Sequence, residues 1–290
     1  MPVHDRTSFE SLYTGQPMPM TDPYAEAVLA DLPVGYWRLN ELTHDERVSD
    51  ESGHNHDGSF VGRPSLGEQG AIHGNANCSM SFASDAHISI PHSPDFSIQT
   101  SGEGLSVEVW MRPDTLLYEG EDNKKYIHCL GKGKPAQRGE PKHMEWGFRL
   151  YSSDHPQRPM RISAYAWNPQ GGEGAGAYYE GDLVAEREWI HLVACFEHYV
   201  DPCIEKTGVQ LFVNGEFVQG PPSSGTLYFN EGSWSVVPRS GDAPLRFATR
   251  SGTANSFLTG GIDEVAIYPR VLTPERIKRH YDVGIGRQDR

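Results

Sequence analysis

Seven residues able to do acid–base or anion-binding chemistry, Glu108, Arg112, His128, Arg149, Arg161, Tyr165 and His191, fall in short β-rich runs of the sequence. Alternation along a strand could bring them all to one polar face. Arginines there would neutralise a substrate carboxylate, and a Tyr/His pair could take and return a proton beside it. Glu108, His128, Arg149, Arg161 and Tyr165 form the candidate catalytic set. Candidate ligand-binding residues are Arg112 and the aromatics that could stack on a sugar ring. Tyr165, Trp167, Tyr178 and Tyr179 flank the glycine-rich segment NPQGGEGAGA, read as flexible, and Trp234 sits in the longest loop-like stretch. The alternative use of these rings is core or rim packing.

Other chemistries lack their motifs. No ExDxE run supplies the paired carboxylates of a retaining glucanase. No Asp-box repeat, GxSxG elbow, Walker loop or dinucleotide fingerprint occurs. His54 and His56 form an HxH pair, but the surrounding Gly and Asn read as a turn and no third ligand is evident. Cys78, Cys129, Cys195 and Cys203 make no CxxC pair. Cys195 and Cys203 could bridge a hairpin; the other reading, four reduced thiols, is the expectation without a secretion signal.

The elements that must position these residues are strands. From about residue 35 to residue 270, β-rich runs alternate with Gly, Pro, Asn and Asp, and no helices are interleaved. Leu105, Val107, Val109 and Met111 share one face of their strand, with Ser106, Glu108, Trp110 and Arg112 on the other. Ile162, Ala164 and Ala166 oppose Arg161, Ser163, Tyr165 and Trp167, while Arg149 pairs in parity with Tyr151, and His191 with Cys195. Parity alone leaves two readings of such a face, a binding concavity or the wet outside of a sheet. Val213-Asn214-Gly215-Glu216 predicts a type I′ hairpin. Short helices are predicted after Asp22-Pro23 and after Thr273-Pro274, with Gly284 as a C-cap. The result is an all-β, antiparallel two-sheet sandwich with short N- and C-terminal helices. Residues 1–20 read as a tail or arm and 21–290 as a single domain.

The opening AVLADLPVGYWRLNE with DESGHNHDGSFVG, the strand GLSVEVWMRPD, the hairpins YIHCLGKG–EWGFRLYSS and EWIHLVACFE–VQLFVNGEFV, and the closing GGIDEVAIYPRVLTPERIKRHYDVG follow one another in the chain. In that order they resemble the laminin-G-like (LamG), concanavalin A-like lectin/glucanase jelly-roll superfamily of bacterial type, over about residues 25–285. The resemblance implies a jelly roll, a carbohydrate ligand and a structural calcium held by Asp263, Asp50 and Glu41. It also makes WIHLV a packed structural stretch. The scaffold hosts lectins, adhesion modules, glycosidases and lyases alike, so activity has to be read from the site.

Charge narrows the partners. With 25 Lys and Arg against 39 Asp and Glu, the chain carries −14 and repels phosphate backbones, which disfavours nucleic acid. No stretch approaches the roughly 20 apolar residues of a membrane helix. The first twenty residues show no basic and then apolar leader, so the expected location is cytoplasmic unless the chain is a mature or trimmed form. Acids fall mainly in loops, whereas Arg112, Arg149 and Arg161 occupy strand positions. An acidic protein could therefore carry a locally basic floor. Three functions fit: a calcium-stabilised lectin-like binder of carbohydrate or glycoconjugate, an enzyme acting on an anionic or carboxylate-bearing substrate, and a structural or assembly protein with a protein partner.

Overall fold

The computed structural model describes residues 22–98, 104–120, 123–134, 143–167, 174–197, 208–218, 224–228, 241–250 and 255–287. The expected tail and Cys203 lie outside them. In chain order the strands are β1 (Gly35–Trp37), β2 (Ser59–Val61), β3 (Ser65–Gln69), β4 (Cys78–Phe82), β5 (His87–Ile90), β6 (Leu105–Pro113), β7 (Tyr126–Lys134) and β8 (His143–Tyr151). There follow β9 (Ile162–Trp167), β10 (Gly174–Tyr179), β11 (Ile190–Phe196), β12 (Val209–Val213), β13 (Glu216–Phe217), β14 (Ser224–Tyr228), β15 (Leu245–Phe247) and β16 (Gly260–Tyr268). They form two antiparallel sheets. The first runs β13-β12-β11-β6-β16-β4-β3, with β1 also on β16, and the second runs β14-β10-β9-β8-β7-β15-β5-β2.

Alternation sets the core. Val107, Val109 and Met111 of β6 face Trp146, Phe148 and Leu150 of β8 in one apolar cluster between the sheets. Trp37 anchors that cluster, its ring 5.3 Å from Phe247 and 5.7 Å from Phe96. Asn214 and Gly215 take φ of 51° and 77°, the paired positive angles of the expected type I′ turn between β12 and β13. Part of the segment read as flexible is instead ordered: Gly174–Tyr179 forms β10, because its small residues let it lie flat against β9. Cys195 is a free, buried thiol, so it does not close the hairpin bridge.

Two helices cover the outward face of the first sheet. Helix α1 (Pro23–Ala30) is capped by Asp22, whose carboxylate accepts the N–H groups of Tyr24 and Ala25 at 3.2 Å each. Helix α2 (Pro274–Gly284) is capped by Thr273 and runs three residues past Tyr281, its expected end, with Ile285 rather than Gly284 as C-cap. Gly284 is instead a contact residue, since a Cβ there would press on the Trp110 ring.

Beneath the helices lies Glu108, and here the structure corrects the sequence reading. The carboxylate is fully buried and accepts hydrogen bonds from Tyr24 Oη at 2.9 Å, Tyr268 Oη at 2.7 Å, His191 Nε2 at 2.8 Å and His280 Nδ1 at 2.9 Å. The other nitrogen of His280 faces Asp31 Oδ2 at 3.0 Å, and Asp31 in turn pairs with Arg276 Nε at 2.7 Å. Glu108 is therefore a clamp between sheet and helices, and no substrate reaches it. Burial works against the His280 imidazolium, but Glu108 and Asp31 outweigh it and lift the pKa to about 9. The same histidines hold Glu108 well below the usual carboxylate range despite its burial.

A raised folded-state pKa stabilises the protein fully below the unfolded histidine value and loses that contribution as pH rises through about 9. The clamp should contribute ~3 kcal/mol at neutral pH. The melting temperature of the wild type is expected to fall between pH 7 and 10, and His280→Gln should melt lower at neutral pH and lose that alkaline slope. An identical slope in the variant would remove the clamp.

Candidate functional site

The outward face of the second sheet is built on a row of glycines. Gly131 of β7 lies opposite Gly147 of β8, Gly147 opposite Tyr165 of β9, and Tyr165 opposite Gly176 of β10. The missing side chains make a trough. Arg250, from the segment after β15, lays its stem in it: a Cβ on Gly131 would come within 2.9 Å of Arg250 Cγ, and one on Gly147 within 3.4 Å of Cδ. Its Nη1 then donates to Tyr165 Oη at 2.5 Å.

Arg149 lies on the same face among phenols. Its guanidinium sits 4.2 Å from the Tyr126 ring centroid, 4.6 Å from Tyr165 and 5.8 Å from Tyr151, and Nη1 donates to Tyr151 Oη at 3.0 Å. Arg158 donates to the same Tyr151 oxygen at 3.2 Å. His128 Nδ1 lies 3.2 Å from Ser256 Oγ, with its ring 6.0 Å from Tyr165. Trp167 packs 4.8 Å from Tyr165 and 5.2 Å from the Arg250 guanidinium. Arg149, Arg250, Tyr151, Tyr165, His128 and Ser163 form a buried floor, each no more than 4% exposed. Tyr126, Arg158, Arg161, Trp167 and Tyr178 form a half-buried rim.

Electrostatics follow from this packing. Burial pushes the Arg250 guanidinium below its ordinary value, with the Tyr165 phenol opposing and Arg149 reinforcing the shift. Burial would raise the Tyr151 phenol, but Arg149 and Arg158 pull it below the ordinary tyrosine value. Among the buried polar atoms on this face that have no hydrogen-bond partner are Arg250 Nε and Ser163 Oγ.

Of the sequence-predicted residues, the fold brings together His128, Arg149, Tyr165 and Trp167. Arg161 and Tyr178 join them only at the rim, where Arg161 pairs with Glu180 and lies 3.9 Å above the Tyr178 ring. Glu108 and His191 belong to the opposite sheet. So does Arg112, which pairs with Asp114 at 3.2 Å and covers Trp189. Tyr179 points into the core, because it has the opposite parity to Tyr178. Trp234 lies outside the described residues. Arg250 was missed: it follows a three-residue strand, in a stretch where parity gives no signal.

The carboxylates implied for calcium do not converge. Asp50 accepts the N–H groups of Tyr36, Ser52 and His56 at 2.9, 3.0 and 2.9 Å. Glu41 accepts Ser49 N at 2.7 Å, and Asp263 accepts Ala71 N at 2.7 Å and Asn77 Nδ2 at 3.3 Å. Donors already fill Asp50 and Asp263, and among the described residues no three metal-ligating side chains gather. This donor set does not fit a calcium shell. The 980 Å³ groove beside α1 and α2 is also largely self-paired, since its Arg38, Asp22, Asn75 and Asn77 bond to one another or to buried carboxylates.

The family model described as the concanavalin A-like lectin/glucanases superfamily (Laminin_G_3) matches residues 82–278. The chain belongs to this superfamily. No curated protein matches this superfamily member. Among solved structures it is similar to the binding domain of Paraclostridial Mosquitocidal Protein 1, with 12% identity, a TM-score of 0.57, and coverage of 88% of this chain and 52% of that one. It is also similar to the botulinum neurotoxin serotype D ligand binding domain in complex with N-acetylneuraminic acid, with 13% identity, a TM-score of 0.55, and coverage of 90% and 52%. The chain thus spans about half the length of the solved structures it matches. At such identities the likeness is one of fold.

The N–H-bonded carboxylates give a direct expectation for this superfamily member. EDTA should leave the melting temperature unchanged, while Asp263→Ala should cost about 1–3 kcal/mol with or without calcium, by stranding buried donors. A chelator-induced fall in the wild type that the variant lacks would place calcium at Asp263 after all.

Proposed function

We propose that this is a lectin-like domain that binds carbohydrate or a glycoconjugate on the outward face of the second sheet. The observation that carries the reading is the half-buried aromatic rim of Tyr126, Trp167 and Tyr178 around a buried floor of polar donors. Rings of this kind take the C–H face of a sugar, and the floor supplies hydrogen bonds to its substituents. Membership of a lectin/glucanase superfamily supports it, as does a similar fold solved with N-acetylneuraminic acid. Trp167→Ala should lower glycan binding about tenfold by removing one stacking face. The measurement is glycan-array titration beside a melting curve. Array binding that survives Trp167→Ala unchanged would move the site elsewhere.

One observation favours a second reading, turnover of a carboxylate-bearing substrate. Tyr151 Oη lies between two guanidinium donors that favour its phenolate, which suits it to take a proton. In that case Tyr151→Phe should abolish the appearance of new chain ends even at glycan concentrations that saturate the variant. Equal rates of chain-end release in the two proteins would reject the catalytic role.

A further inference from the structure

Resting on the glycan-binding reading of the same face, the geometry points to a carboxylate-bearing sugar as its ligand class. Arg250 would read the carboxylate and Ser163 an adjacent hydroxyl. Arg250 is 3% exposed and Ser163 fully buried, yet Arg250 Nε and Ser163 Oγ have no hydrogen-bond partner. A buried donor left unmade is costly, and a buried guanidinium more so, unless something completes it. The described partners of the Arg250 side chain are neutral: Tyr165 Oη takes Nη1, and the Trp167 ring lies 5.2 Å away. Among the described residues, the charged group that bears on it is a second cation, Arg149. Three other cations are matched with acids: Arg38 with Glu264, Arg161 with Glu180, and Lys132 with Glu145.

The ligand can be narrowed further. A guanidinium edge presents two parallel N–H groups that fit the two oxygens of a planar carboxylate. The trough holds that edge in place, since Gly131 and Gly147 leave no side chain to lift the stem from the sheet. Ser163 lies opposite Arg149 in the β8–β9 register and opposite Tyr178 in the β9–β10 register. A sugar ring on the Tyr178 side of the floor would thus offer Ser163 a ring hydroxyl. Uronic and sialic acids combine a carboxylate and hydroxyls in this way; a neutral hexose lacks the first.

The test is calorimetric titration of the full chain with four probes: lactose, 3′-sialyllactose, a glucuronate-terminated disaccharide and a 3-O-sulfated galactoside. The wild type should bind the two carboxylate probes at least about tenfold more tightly than lactose. Arg250→Gln should erase the margin by weakening the carboxylate probes at least about tenfold, and Ser163→Ala should weaken them less. Melting curves and near-UV spectra confirm that the variants fold, and Arg250→Met serves as a second variant if the amide does not. Equal affinity of the wild type for lactose and sialyllactose would overturn the carboxylate assignment and leave glycan binding standing. Equal affinity for the sulfated and carboxylate probes would overturn planar recognition, and a margin that survives both Arg250 variants would overturn the role of Arg250. Failure of all four probes to bind would overturn both readings.

Discussion

The buried carboxylate of Glu108 organises one whole side of this protein. A charge in the centre of a sheet face is tolerable only with its hydrogen-bonding capacity filled, and Glu108 has four donors. Two come from the sheet, His191 and Tyr268, and two from the helices, Tyr24 of α1 and His280 of α2. Neither helix can leave without stranding the charge. α1 has eight residues and α2 eleven, lengths marginal for isolated helices, so their stability is borrowed from this docking. The first sheet is thereby closed on its outward side.

The outward face of the second sheet, where we place the glycan site, reverses the physics. Glu108 gathers donors around an anion, whereas Arg149 and Arg250 are cations gathered among phenols and an indole. Arginine suits such a place better than lysine, because a delocalised guanidinium is weakly hydrated and stacks on rings. The glycine row determines where the cations lie. A side chain at Gly131 would press on the Arg250 stem and one at Gly147 would abut it, so two strands give up packing to seat one arginine.

Strand parity made much of this legible in the sequence. It separated Val107 from Glu108, Phe148 from Arg149 and Ala164 from Tyr165, and the structure keeps each division. What parity cannot carry is which sheet a strand joins. Glu108 and Arg149 have the same polar-face character in their own strands, yet they lie on opposite outsides of the sandwich, because β6 pairs with β11 and β16 while β8 pairs with β7 and β9. Pairing is set by contacts distant in sequence, to which a local pattern is blind. Asp263 shows the same limit: the family resemblance implied a metal ligand there, but its partners, Ala71 and Asn77, come from another part of the chain.

The net charge of −14 looks at odds with a cationic site, and the geometry resolves it. Surface acids act through water and salt, which screen them within about 10 Å. A guanidinium on a buried floor acts through a lower dielectric, where one charge counts for more than several at the surface. The acidic exterior should slow the approach of an anion without setting how tightly it is held. Association rate and affinity would then respond to different residues: the rate to loop carboxylates and salt, the affinity to Arg250 and the rings around it.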